Sequence, residues 1–323
     1  MQYTHLGRSG LSVSRLCLGT MNFGPKTDEA DAHAIMDSAR ASGINFFDTA
    51  NVYGWGENKG WTEEIVGRWF ARGGGRREDT VLATKLYGSM SERPNDTFLS
   101  ALNIRRALDA SLQRLQTDYI DLYQFHHIDR NTPWDEIWQA MEVAVQQGKI
   151  IYNGSSNFAG WHIARAQEAA QRRNFNGLVS EQSIYNLISR TVELEVIPAA
   201  QQYGLGLLPW SPLEGGLLGG VLKKAEQGGR RTEGRAKQAL ETHRDALQQY
   251  EDFADELGLA PGILALAWLL HQPAVTAPIV GPRIQAQLDD ALTALDTELE
   301  SGILTRLDTI FPGHRTAPED YAW

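Results

Sequence analysis

Four side chains in this 323-residue chain combine types that suit one reaction: Asp48, Tyr53, Lys85 and His126. Reduction of a carbonyl needs a hydride at carbon and a proton at oxygen. A tyrosine, with a reference pKa of ~10, is normally too weak an acid to give that proton near neutral pH. A neighbouring ammonium stabilises the phenolate and lowers that pKa, and Lys85 could supply the charge. Asp48 would hold Lys85 charged and in place. His126 would orient the carbonyl oxygen or relay the proton. Taken singly, each has an ordinary reading: Asp48 as a helix N-cap, Lys85 as a solvated or ion-paired lysine, Tyr53 as a packing aromatic in a Gly-rich loop. The set has meaning only if the fold brings its members together.

The elements that would do so are eight short apolar or β-branched runs, at residues 15–20, 45–49, 81–85, 119–126, 150–155, 178–182, 205–210 and 275–280. Amphipathic helical patterns fill most of the gaps, over 28–40 behind a Thr27 cap, 62–70, 100–115, a segment opening at Pro133, and 161–172. Strand and helix alternating eight times predict a (β/α)8 barrel, forming a single domain over 1–323. A doubly wound open sheet competes, but Gly19-Thr20-Met21-Asn22-Phe23-Gly24 does not match the dinucleotide fingerprint and Gly204-Leu205-Gly206 precedes a strand. In a barrel, the active site sits at the C-terminal strand ends. Those ends carry Asp48 and Thr49, Lys85, His126 and His127, Ser155 to Asn157, Glu181 and Gln182, and Trp210 and Ser211. Two segments fall outside the repeat. Residues 3–6 and 11–13 flank Gly7 and Gly10 as a small hairpin, suited to plug the barrel bottom. Residues 213–235, rich in Gly, Lys and Arg and without a clear period, would rise over the mouth.

Bulk properties narrow the partners. A net charge of −10 disfavours nucleic acid and anionic membranes. The longest apolar run, 263–270, is too short to span a bilayer. Residues 1–10 lack an apolar signal core. The single cysteine, Cys17, cannot form an internal disulfide, which fits a reducing cytoplasm. His126 and His127 are adjacent, so strand alternation turns them to opposite faces, and no ligand-spaced Cys or carboxylate joins them; no metal is expected. No G-x-S-x-G elbow supports a serine hydrolase.

The motifs are then recognisable. Leu6-Gly7-Arg8-Ser9-Gly10, Leu18-Gly19-Thr20-Met21, Phe47-Asp48-Thr49-Ala50, Val52-Tyr53-Gly54 and Ala83-Thr84-Lys85 follow in order. After them come Tyr119-Ile120-Asp121-Leu122-Tyr123-Gln124, Gly154-Ser155-Ser156-Asn157, Trp210-Ser211-Pro212-Leu213 and Gly281-Pro282-Arg283. Along nearly its whole length the sequence resembles the aldo-keto reductase superfamily. The branch it is similar to is that of the potassium-channel β-subunits and the actinobacterial deoxysugar-pathway reductases.

The resemblance implies Asp48, Tyr53, Lys85 and His126 as a catalytic tetrad, and NADPH bound extended across the mouth without a Rossmann domain. It implies Thr20, Met21 and Asp48 near the nicotinamide ribose. Ser156, Asn157 and Gln182 would hold the carboxamide, and Trp210 would stack on the ring. Ser211, Pro212, Leu213, Gly215 and Leu217 would follow the pyrophosphate. Gly281 and Arg283 would meet the 2′-phosphate side, and Gln287 and Asp290 the adenosine. Arg235 and Lys223 are weaker phosphate candidates. Ala291 stands where the family usually has an asparagine, which removes an amide contact to adenine.

On the substrate side, Phe23, Tyr53, Trp55, Tyr87, His126 and His127, with Phe158, are the expected lining, suited to aryl or medium-chain aldehydes. A small-molecule carbonyl is the expected partner, and a homo-oligomer stays open. Besides general carbonyl reduction, the resemblance implies two alternatives. One is a 2,3-reductase of dTDP-4-keto-6-deoxyhexoses. The other is a cofactor-sensing binding subunit with little turnover.

Overall fold

The computed structural model describes residues 1–226 and 235–322. Its frame is an alternation of strand and helix: β3 (Cys17–Gly19), α1 (Glu29–Ala41), β4 (Phe46–Asp48), α2 (Trp61–Ala71), β5 (Val81–Leu86), α3 (Ala101–Leu115), β6 (Ile120–Phe125), α4 (Trp134–Gln146), β7 (Ile150–Ser156), α5 (Gly160–Gln171), β8 (Leu178–Gln182), α6 (Val196–Tyr203) and β9 (Gly206–Leu207). After α7 (Val221–Glu226), α8 (Arg235–Glu256) and α9 (Pro261–Leu270) comes β10 (Ile279–Val280), then α10 (Gln285–Ala294) and α11 (Ser301–Ile310). All neighbouring strands are parallel, in the order β10-β3-β4-β5-β6-β7-β8-β9. The two ends of this sheet meet: Thr276 N–H donates to Leu207 O at 2.9 Å and Ile279 N–H to Pro209 O at 2.8 Å. The fold is a (β/α)8 barrel, with β1 (Tyr3–His5) and β2 (Ser12–Ser14) as an antiparallel hairpin.

The hairpin closes the N-terminal end. Leu6 and Val13 are fully buried in one cluster with Cys17, Phe46, Ala83, Leu122, Val179, Leu208 and Ala277, which points inward from the strands. Gly7 lies at φ +56°, and a Cβ there would sit 2.5 Å from Gly204 O, so only glycine lets the turn press against the barrel floor. A second apolar layer fills the space between strands and helices. One step further along each strand, the inward face turns polar: Phe46 gives way to Asp48, Ala83 to Lys85, Leu122 to Gln124. Period-2 alternation thus places an apolar plug below and a polar floor above.

Three local expectations change. Asp28, not Thr27, caps α1, accepting from Asp31 N at 2.9 Å; the Thr27 hydroxyl instead donates to Arg283 O at 2.9 Å. The carboxylate is the stronger acceptor for an orphan helix N–H. The segment after β9 is not without regular structure: a 3-10 turn at Glu214–Gly219 and α7 follow the seventh strand, with part of the rest outside the described residues. The last two strands are two residues each, because Pro209 and Pro278 have no N–H to extend the ladder. No single helix among the described residues is long and apolar enough to cross a membrane.

Candidate active site

The C-terminal ends of β4, β5 and β6 bring three of the four candidate side chains into direct contact. Lys85 is fully buried, and its ammonium has three N–H bonds to give. It donates to Asp48 Oδ2 at 2.5 Å, Thr49 O at 2.9 Å and Tyr53 OH at 3.2 Å. All three are therefore spent. The Tyr53 oxygen accepts one of them, so its own O–H hydrogen is left to donate elsewhere. The other Asp48 oxygen accepts from Gln124 Nε2 at 3.0 Å and Gln182 Nε2 at 2.9 Å. A buried ion pair is costly unless its remaining valences are met, and here they are.

His126 stands beside this set without a hydrogen bond to it. Its ring meets Tyr53 edge-on at 5.9 Å. Its backbone is fixed from both sides, with N–H donating to Leu86 O at 2.8 Å and O accepting from Asn157 Nδ2 at 3.1 Å. Its ring nitrogens have no hydrogen-bond partner among the described residues. Burial, then the charge of Lys85 and the neighbouring His127, pushes its pKa down to about 3. It is neutral at ordinary pH.

Burial alone would lower the pKa of Lys85, but Asp48 and Tyr53 raise it above its ordinary value, so it stays an ammonium. Tyr53 departs from expectation. Burial raises its pKa, Lys85 opposes that, and the balance lies upward. The nearby ammonium therefore offsets desolvation rather than producing an unusually acidic phenol. This keeps the phenol protonated, the form in which it can donate.

The other predicted residues divide. Thr20 is buried and ties β3 to β4 through its hydroxyl and Asp48 O at 3.0 Å, while Met21 beside it is exposed. Asn157 adopts a left-handed backbone at φ +59°. Its N–H donates to Gln182 O at 3.0 Å, its Nδ2 also to Ser156 Oγ at 2.9 Å, and its Oδ1 accepts from Trp210 Nε1 at 3.1 Å. Ser211, Glu214, Gly215 and Gly216 all have positive φ, winding a tight turn around Pro212 and Leu213. The Ser211 hydroxyl accepts from Gly215 N at 3.2 Å. Arg283 is exposed, and its guanidinium has no partner among the described residues. Asn22 Nδ2 donates to Gly281 O at 2.8 Å. Gln287 Oε1 accepts from Arg283 N at 2.8 Å, so one of its groups is already committed, while Asp290 is exposed.

Other candidates leave the site. Phe23 is fully buried in the outer core, pinned by its N–H to Thr20 O, and cannot line the mouth. Phe158 is a core residue, stacked on Phe125 at 6.4 Å. The Leu217 side chain packs in the cluster with residues of α8 and α9, so only its backbone could face a ligand. Lys223 is paired with Asp255. The Arg235 side chain lies outside the described residues. Ala291 faces the core of α10. Trp55, half exposed, tilts against Tyr53 at 5.7 Å. Tyr87 packs between Phe98 and exposed His127, each at 5.3 Å. Gln124 was missed as a site residue, and Glu181 was named at its strand end without a role. Gln124 was legible in principle: it stands two residues beyond Leu122 on an alternating strand.

The sequence matches the model of the aldo/keto reductase family over residues 15–311. The chain belongs to that family. It is 56% identical to a Bacillus subtilis protein named as an uncharacterized oxidoreductase, YrpG, with all of both chains covered. It is 38% identical to a rice protein named as a probable voltage-gated potassium channel subunit beta, with 92% of each covered. It is 31% identical to the versiconal hemiacetal acetate reductase of Aspergillus parasiticus, over 98% of this chain and 100% of that one. Family and relatives make this aldo/keto reductase an oxidoreductase.

Proposed function

We propose that the chain reduces small aldehydes or ketones to alcohols with NADPH, and that Tyr53 gives the proton to the carbonyl oxygen. The observation that carries this is the spent ammonium of Lys85. With its three N–H bonds on Asp48, Thr49 and Tyr53, it can only accept charge developing on the Tyr53 oxygen, not compete for the substrate. As the phenol hydrogen leaves, that ammonium stabilises the phenolate it is already bonded to. Neutral His126 holds the carbonyl oxygen by hydrogen bonding and does not itself supply the proton.

The residues fit a nicotinamide dinucleotide, which when bound supplies the hydride. Gln182 Oε1 and the Ser156 O–H hydrogen have no partner among the described residues, which leaves an acceptor and a donor for a carboxamide. The turn over 211–216 spends the N–H groups of Glu214, Gly215 and Gly216 on Ser211 O, Ser211 Oγ and Leu213 O, so what it offers a pyrophosphate is the Leu213 N–H and the Ser211 hydroxyl hydrogen. The free guanidinium of Arg283 suits a 2′-phosphate and so NADPH over NADH. Trp55 and Tyr87 would wall the acceptor side, favouring aryl carbonyls. One relative is named as a reductase, which supports this direction of reaction.

The test is Tyr53→Phe, followed by NADPH absorbance with 4-nitrobenzaldehyde and by NADPH binding. Turnover falls by about 10²-fold or more while the Kd for NADPH holds. Unchanged turnover would remove Tyr53 as the proton donor.

A further inference from the structure

One buried carboxyl is left over by this chemistry. Gln182 points into the barrel, but Glu181, its neighbour on β8, points the opposite way, between strand and helix. It is fully buried, and no ion pair involves it among the described residues. Three donors converge on it. Ser155 Oγ donates to Oε2, Ser183 Oγ to Oε1 at 2.6 Å, and Phe158 N–H to Oε1 at 3.0 Å. Burial pushes its pKa up to about 7 against the pull of those bonds. His162 of α5, edge-on to Phe158 at 6.0 Å, is a titratable neighbour of the cluster, and burial lowers its own pKa to about 4.

What the three donors have in common is Trp210. Ser155 and Phe158 bracket Ser156 and Asn157, and the Asn157 amide oxygen accepts the Trp210 indole N–H at 3.1 Å. Ser183 accepts the Trp210 backbone N–H on its own carbonyl at 3.0 Å. Trp210 is thus held at two points, its indole N–H and its backbone N–H, and the residues that hold both are anchored on one carboxyl. Asn157 needs such an anchor, since a left-handed residue is held only where its surroundings over-determine it.

We propose that Glu181 is a positioning residue for the nicotinamide end of the dinucleotide site, fixing the turn at Asn157 and through it the Trp210 indole. This rests on the reading of the site as a nicotinamide dinucleotide site. Glu181 touches neither cofactor nor substrate; it acts through Asn157 and Ser183. The conservative change Glu181→Gln keeps an acceptor for Phe158 N–H and can donate to Ser155 Oγ. Glu181→Ala removes the anchor altogether.

The experiment measures the Kd of NADPH by calorimetry without substrate, together with kcat and KM, for wild type, Glu181→Gln, Glu181→Ala and Ser183→Ala. Glu181→Ala weakens NADPH binding by roughly tenfold or more, and its kcat at saturating NADPH stays within about threefold of wild type. Ser183→Ala weakens binding less, and Glu181→Gln restores it. A role confined to stability would lower the melting temperature and leave the Kd of the folded protein unmoved. That result, in Glu181→Ala or, if it does not fold, in Ser183→Ala, overturns the proposal. Wild type that binds no NADPH overturns the underlying reading of the site instead.

Discussion

At the scale of single residues, the site separates charge from protonation by burial. His126, just after β6, and Glu181, buried on β8, are driven in opposite directions, to about 3 and about 7. In both cases burial is the largest cause, and in both it favours the neutral form. Their effects on stability carry opposite signs. The depressed His126 contributes stability that is lost as pH falls from about 6.5 towards 3, because the unfolded chain takes up the proton first. The raised Glu181 contributes stability that is full below about 4.5 and is lost as pH rises through about 7. Glu181→Gln removes the second effect only. Between pH 5 and 8, wild type should lose on the order of 2–3 kcal/mol relative to that variant. Urea midpoints at the two pH values measure it, and parallel pH profiles would mean that Glu181 ionises as an ordinary carboxyl. A second prediction concerns His126 alone. Its ring proton resonances should not move between about pH 5 and 8, whereas a histidine with an ordinary pKa would titrate there.

At the scale of elements, the loop between β4 and α2 decides where the phenol stands. Gly54, at φ +112°, turns the chain directly after Tyr53, and a Cβ there would lie 1.9 Å from Asn58 O. The loop is closed by Gly60 N–H to Tyr53 O at 3.0 Å and tied to its neighbour by Lys59 Nζ to Ser89 O at 2.6 Å. Gly54→Ala must displace that backbone, so kcat/KM for an aryl aldehyde should fall tenfold or more with the Kd for NADPH unchanged. Activity equal to wild type would show that the loop re-closes without moving Tyr53. This loop also marks the boundary of what the sequence made legible. All eight strands were readable, because β-branched and apolar runs at regular spacing leave few other folds. The meeting of Asp48, Tyr53 and Lys85, with His126 beside them, was readable because strand ends in a barrel point to one mouth. The burial of Phe23 and Leu217 was not readable, since an aromatic or leucine near a motif carries no sign of which way it packs. Glu181 was legible as a polar residue at a strand end, but not the Ser155 and Ser183 hydroxyls and the Phe158 N–H that gather on it from other segments. The turn and α7 after β9 were hidden by glycines at 215, 216, 219 and 220, which depress helical pattern, while those at 215, 216 and 220 supply positive φ.

For the whole molecule, a net charge of −10 opposes the approach of an anionic dinucleotide, while one exposed guanidinium at the mouth would welcome it. The two act over different distances. The summed charge acts before contact and is screened within a Debye length, which shrinks from about 30 Å at 0.01 M salt to about 8 Å at 0.15 M. Arg283, on the dinucleotide reading, acts after contact, through charge-assisted hydrogen bonds to phosphate. The association rate of NADPH should therefore rise with salt over that range, opposite to the behaviour of a basic site that attracts its ligand. Arg283→Met should leave that rate within a few-fold and should raise the dissociation rate of NADPH by about tenfold or more, with little effect on NADH. Stopped-flow fluorescence with both dinucleotides separates the two rates. An association rate that falls with salt would mean that the field at the mouth is locally positive despite the net charge. An equal effect of Arg283→Met on NADPH and NADH would take the 2′-phosphate away from Arg283.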